Sequence, residues 1–350
     1  MALHPVEGIP GPPWERPLAG KIDKLVVESE LLADNPLGDP ARRPLYVYVP
    51  PGADGGGLAS VYLLQGYGGQ LDSWWSRPDF ELSTFERLDA MFAAGVCPPA
   101  VIVFVDAWTA YGGSQFLNSP STGPYMDYIC DEVVPFVDGR YPTAASRDRR
   151  AVSGKSSGGY GAMVLSMTRP DVFGAFGSHA GDALFECSYQ REFPDVARTL
   201  RDQFDGSIEV FLEHFKRLEH FDWGRDAGPL VTYGMACAYS PDPDRPGHGL
   251  LPFEISTGRL IDEVWARWLA LDPVRMAPLH GDALRSMRRI YLDAGNRDDF
   301  YLDLGARAFG DELDKLGVQY TLELFDGTHT GTAYRYPRAV RELVLALDAN

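Results

Sequence analysis

Seven short, largely apolar runs bounded by turn residues constrain the fold of this chain more than any other feature. They are Leu45–Pro50, Val61–Gln65, Ala100–Asp106, Arg150–Gly154, Ala175–His179, Ile290–Ala294 and Tyr320–Phe325. Several are apolar at consecutive positions, the pattern of strands covered on both faces. Helical periodicity fills the intervals. The clearest case sets Leu302, Ala306, Phe309, Leu313 and Leu316 on one face, at spacings of three and four. Strands alternating with helices predict an α/β domain with a mostly parallel sheet and helices on both faces.

The rhythm lapses between Gly181 and Met287, where Pro, Gly, Trp and charged residues crowd together, as in the run YSPDPDRPGHG at 239–249. Two helix-like stretches remain there, near Ile208–Leu218 and Ile261–Leu271. The expected organisation is a Pro/Gly-rich lead (1–23) and one domain (24–350), with 183–286 inserted as a cap over the carboxyl edge of the sheet. The plainer alternative for 183–286 is a long connection carrying two surface helices.

Charge and composition exclude several function classes. The 350 residues carry a net charge of −17, which disfavours duplex nucleic acid or an anionic membrane as partner, since both require a basic surface. The four cysteines, Cys97, Cys130, Cys187 and Cys237, are too scattered for a disulfide framework or a zinc knuckle. No charged-then-apolar leader opens the sequence and no apolar run could span a bilayer, so the expectation is a cytoplasmic protein.

The sharpest chemical signal is Gly154-Lys155-Ser156-Ser157-Gly158, a G-x-S-x-G pattern directly after a strand and before a helix. A serine hydroxyl is a poor nucleophile and must project from a tight strand-to-helix turn where a base can reach it; small flanking residues permit that turn. Gly154-Lys155-Ser156 also resembles the end of a phosphate-binding loop, but that motif requires glycine at 149. Arg149 stands there, with Arg150 and Val152 filling the would-be loop.

A nucleophilic serine needs a histidine and a carboxylate, in the chain order Ser, acid, His for this strand–turn–helix arrangement. His329 follows the last strand in Asp326-Gly-Thr-His329. Of the other histidines, His179 is the runner-up, while His4, His214, His220, His248 and His280 lie in the lead or the insertion. Asp298, just beyond the strand Ile290–Ala294, is the first choice of acid. Asp182 and Asp299 remain alternatives, and Asp293 lies within the strand. The developing oxyanion needs two backbone N–H donors. Ser157 is one candidate, and Tyr67, in the glycine-rich turn Gln65-Gly-Tyr-Gly-Gly69, is the other. Trp74 and Trp75 either wall a substrate pocket or belong to the core. Gln65 and Asp182 complete the candidate pocket residues. No metal site is expected, because there is no HExxH and no helical histidine pair.

With these residues assembled, the chain resembles the Putative esterase family of α/β hydrolases, which includes esterase D (S-formylglutathione hydrolase), feruloyl esterases, enterochelin-type esterases and mycolyltransferases. The likeness runs from about Lys24 to the C-terminus. It rests on LYVYVPPG at 45–52, LLQGYGG at 63–69, DYICDEVVPFVDGRYP at 127–142, SGKSSGGYGAM at 153–163, G-x-x-D-x-F at 295–300 and GTH at 327–329. The resemblance implies an α/β-hydrolase fold, Ser156, Asp298 and His329 as the triad, and the Tyr67 and Ser157 N–H groups as the oxyanion donors. Gln65 departs from the His or Asp of many relatives, and Lys155 and Ser157 replace frequent hydrophobic residues. The implied activity is cofactor-free cleavage of a small-molecule ester. The alternatives are acyl transfer to an alcohol or sugar, and a non-catalytic binding module on the same scaffold.

Overall fold

A computed structural model describes residues 17–53, 55–77 and 81–349. Eight strands form one sheet: β1 (Lys21–Glu28), β2 (Arg42–Val49), β3 (Ala59–Leu64), β4 (Ala100–Val105), β5 (Arg150–Lys155), β6 (Ala175–His179), β7 (Arg289–Gly295) and β8 (Thr321–Phe325). Their order is β1-β2-β4-β3-β5-β6-β7-β8. Only the β1–β2 and β2–β4 pairings are antiparallel. All seven expected strands are present. The additional strand of this sheet, β1, is an edge strand, half of it polar, in which only Val27 is buried, so it carries little apolar signal. The expected lead lies largely outside the described residues, as does His4, and β1 begins at Lys21.

Strict alternation along the central strands divides the core in two. Tyr62, Leu64, Val101, Val103 and Val105 face one layer, whereas Val61, Leu63, Ala100, Ile102 and Phe104 face the other. Helices α1 (Thr84–Ala93) and α8 (Tyr336–Asp348) cover the second layer. Covering the first are α2 (Ser157–Thr168), α7 (Leu302–Lys315) and a helical stretch at 125–138 with a π-type turn at Tyr128–Val133.

The 183–286 region is helical, with α3 (Phe193–Gln203), α4 (Ile208–Phe215), α5 (Trp223–Tyr239) and α6 (Asp262–Leu269). The stretches expected near 208–218 and 261–271 correspond to α4 and α6. Helices α3 and α5 are additions. In α3 the periodic Phe193, Val196, Ala197 and Leu200 carry the signal, all buried. In α5 the interior Gly228, Pro229 and Gly234 obscure it, and burial of the helix overrides their low propensity. This region shares the core of the first layer: Tyr239 packs on Tyr160 of α2 at 5.6 Å and on Trp268 at 5.2 Å.

What positions the site is strand register. Leu64 pairs with Gly154, Lys155 with His179, His179 with Asp293, and Gly295 with Phe325. Chains leaving β3, β5, β6, β7 and β8 therefore emerge along one carboxyl edge, where open α/β sheets bind ligands. Close packing of α2 on that edge depends on Gly158, since a Cβ there would stand 2.3 Å from the Leu64 carbonyl oxygen. We expect Gly158→Ala to lower stability by roughly 3 kcal/mol, the upper range for overpacking against backbone that cannot move aside. Denaturant unfolding measures this, and an unchanged midpoint would contradict the packing argument.

Candidate active site

Ser156 occupies the turn between β5 and α2 with φ 56° and ψ −124°, a backbone conformation strained for any residue with a Cβ. Its N–H donates to the His179 carbonyl at 2.9 Å, and the Tyr160 N–H donates to its own carbonyl at 2.9 Å. The turn following β3 lies alongside: a Cβ on Gly66 would approach Ser156 Cβ to 3.5 Å. Gln65 supports that turn by donating from Nε2 to the Gln70 carbonyl (3.0 Å) and to Ser73 Oγ (2.9 Å). The half-buried Tyr67 ring anchors it from the other end, its hydroxyl donating to the Tyr111 carbonyl with the Leu230 carbonyl also within hydrogen-bond distance. Among the described residues, no protein acceptor takes the Tyr67 or the Ser157 backbone N–H. Gln65, Gly66, Tyr67, Trp108, Gln115 and Ser157 line a pocket at this point.

The loops after β7 and β8 bring Asp298 to His329. Asp298 Oδ2 lies 2.8 Å from His329 Nδ1, and both side chains are buried. The other carboxylate oxygen accepts the Phe300 N–H at 2.9 Å and the Leu302 N–H at 3.3 Å, which fixes its plane. Burial alone would raise this carboxyl, but the hydrogen bond and charge of His329, together with the two N–H donors, hold it below its ordinary value. An ionised carboxylate only accepts, so His329 Nδ1 carries the proton in this pair. Asp299 has a different task, its Oδ2 accepting the His329 backbone N–H at 3.2 Å. Phe300 packs edge-on against the imidazole at 4.8 Å.

Asp182, beyond the end of β6, meets the serine and not the imidazole. Its Oδ1 lies 3.5 Å from Ser156 Oγ, the hydrogen-bond partner of that hydroxyl among the described residues. Its Oδ2 accepts from Tyr189 Oη (2.6 Å), Gln115 Nε2 (3.3 Å) and Ser157 Oγ (3.3 Å). Burial pushes this carboxyl above its ordinary value, against the opposing pull of the Tyr189 hydrogen bond and the nearby His329. Gln115, Tyr189 and Tyr239, which donates or accepts around the same cluster, carry no sequence motif. Only the fold brings them here.

The model of the family described as "Putative esterase" matches residues 40–336. The chain belongs to that family. It is also similar to an endo-1,4-beta-xylanase/feruloyl esterase of Xylanibacter ruminicola, 28% identical over 126 residues, which is 35% of this chain and 16% of that protein. Against an iron(III) enterobactin esterase of Dickeya dadantii it is 33% identical over 101 residues, 29% of this chain and 23% of the relative. These matches thus span less than a quarter of each relative's length. Among solved structures, a ferulic acid esterase superposes with a TM-score of 0.58 at 17% identity, covering 95% of this chain and 99% of the other. The fold of this family member is the α/β-hydrolase fold.

The remaining expectations sort by burial. Trp74 is a core residue, and Trp75 is half-buried against the same cluster. Trp74 packs edge-on against Phe104 and Tyr336, and Trp75 lies 4.2 Å from Phe85. The runner-up base, His179, is committed elsewhere. Its Nδ1 pairs with Asp293 at 2.7 Å, directly across the β6–β7 register, and Arg335 Nε donates to the same carboxylate at 2.9 Å. Burial opposes ionisation of Asp293, and the charges of His179 and Arg335 outweigh it, so its pKa is lowered. Arg335 also bonds Glu323 and so ties the segment after His329 to β7 and β8. No helix among the described residues is long and apolar enough to cross a membrane.

Both lowered carboxyls make acid stability testable. A group whose folded pKa is depressed stabilises above its unfolded value, near 4, and that contribution disappears as pH falls through the folded pKa. Chemical unfolding between pH 6 and 3 should show a steep acid loss for the parent protein. Asp293→Asn should be less stable at pH 6 and show a shallower loss below pH 4. An unchanged slope would contradict the ion-pair account.

Proposed function

We propose that the protein hydrolyses carboxylic esters through an acyl-enzyme on Ser156, with His329 as general base and Asp298 as its orienting acid. The reading is carried by one observation: the 2.8 Å pairing of a buried, ionised Asp298 with His329 Nδ1, on the sheet edge that also bears the strained Ser156.

In this mechanism Ser156 Oγ turns from Asp182 towards His329 by rotation about Cα–Cβ, with the backbone unchanged. His329 Nε2 takes the hydroxyl proton as Oγ bonds to the ester carbonyl carbon. The carbonyl π pair moves to oxygen, and the Tyr67 and Ser157 N–H groups, lacking protein acceptors, receive the oxyanion. On collapse the C–O bond to the alcohol breaks and the imidazolium protonates the departing oxygen. Water, deprotonated by His329, then attacks the acyl-enzyme and releases the acid and Ser156. Asp298 stabilises the imidazolium in both halves, and no cofactor is required. The 183–286 insertion acts as the cap: Tyr189 and Tyr239 border Asp182, and the Leu230 carbonyl holds Tyr67.

Ser156→Ala should lower kcat on p-nitrophenyl acetate by at least about 10³-fold, and Asp298→Asn by roughly 10³- to 10⁴-fold through the wrong tautomer. Both variants should keep the parental circular dichroism. Near-parental turnover by Ser156→Ala would overturn the assignment. Product analysis with added glycerol separates hydrolysis from acyl transfer, and hydrolysis predicts the free acid as the main product.

A further inference from the structure

Resting on the acyl-enzyme reading above, the geometry points to a substrate class. We propose that Asp182 selects esters whose acyl group carries a hydrogen-bond donor on its α carbon, an α-hydroxyl or an α-amino group.

The two oxygens of Asp182 are unequally provided for. Oδ2 takes three donors, from Tyr189, Gln115 and Ser157, while among the described residues Oδ1 takes only the Ser156 hydroxyl at 3.5 Å. The residue is 5% exposed, so water does not make up the difference freely. Acylation of Ser156 replaces the hydroxyl hydrogen with an acyl carbon. Once the hydroxyl has turned to His329 and been acylated, it cannot return to Oδ1 as a donor, and a buried carboxylate oxygen without a donor is costly. The turned Oγ still hangs from the same Cβ, and an α substituent stands three bonds beyond Oγ. From there it can span back to Oδ1, which lies 3.5 Å from the resting position of Oγ. A hydroxyl or ammonium there restores the missing hydrogen bond, whereas a hydrogen or methyl leaves the oxygen orphaned. The negative charge of the chain, −17, favours approach of the ammonium form. The leaving alcohol is absent from the acyl-enzyme, so this contact discriminates on the acyl side.

The Oδ2 donors also dictate what a substitution does. In Asp182→Asn the amide oxygen is held by Tyr189, Gln115 and Ser157, which turns the NH2 towards Ser156. The site then offers a donor where an acceptor stood.

The test compares kcat/KM of the full chain on methyl mandelate, methyl phenylglycinate and methyl phenylacetate, each normalised to its hydroxide-catalysed rate to remove inductive activation. These esters differ only at the α substituent. Wild type should prefer the mandelate or phenylglycinate over the phenylacetate by about 10- to 100-fold, the worth of one hydrogen bond to a buried carboxylate. The two arms distinguish hydroxyl from ammonium. In Asp182→Asn the ratio should fall to about one or below, and because it is taken within one protein, any general loss of rate cancels. A wild-type ratio near one in both arms overturns the proposal without any variant, as does a preference that survives in Asp182→Asn. Either result leaves the esterase reading standing if p-nitrophenyl acetate turnover still requires Ser156. Turnover that persists in Ser156→Ala would instead sink the esterase reading.

Discussion

Register across four parallel pairings is the constraint on which this structure depends. Because β3, β5, β6, β7 and β8 end nearly level, residues separated by more than 170 positions in sequence leave the sheet side by side. A shift of one residue would turn every side chain to the opposite face, exchanging the two core layers. The layered burial of β3 and β4 forbids that slip. Precision at the site is thus inherited from packing in the sheet, where apolar side chains fill both faces of the central strands.

On that frame, buried carboxylates have been given opposite fates by their surroundings. Asp298 and Asp293 each face an imidazole and are held ionised. Asp106 pairs with Arg43, whose Nη2 also reaches the Trp108 carbonyl at 2.5 Å, so it braces the loop that forms one wall of the pocket. Asp182 has neutral donors as its direct partners and is pushed upward. Two His–Asp pairs therefore stand near Ser156 but differ in reach. His329 sits on a loop beyond the edge, whereas His179 is locked across strands β6 and β7 with its ring against Tyr336. The second pair works as foundation, holding the β6 carbonyl that receives the Ser156 N–H.

Legibility in the sequence followed the reach of the physics. Short apolar runs disclosed seven strands, most plainly β3 and β4, where burial on both faces demands apolar residues throughout, while β1, an edge with one buried residue, gave no such sign. The G-x-S-x-G turn was legible because its glycines answer a local demand, and Asp298 and His329 because each follows a strand closely. What stayed hidden was assembled from afar. Gln115, Tyr189 and Tyr239 come from a loop, a turn and helix α5, and meet around Asp182 through tertiary packing alone. Trp74 and Trp75 looked equally suited to pocket and core; Phe104 and Tyr336 bury Trp74 in the core, while Trp75 stands half-buried against Phe85.

The central claim is that Ser156 is a nucleophile activated by His329. Peptide mapping by mass spectrometry after brief exposure to a fluorophosphonate tests it most directly, because the reagent records activated serine oxygen whatever the natural substrate. The account predicts one phosphonyl group, on Ser156, with labelling slowed by orders of magnitude in His329→Ala. Labelling elsewhere, or equal labelling of Ser156 without the imidazole, would contradict it.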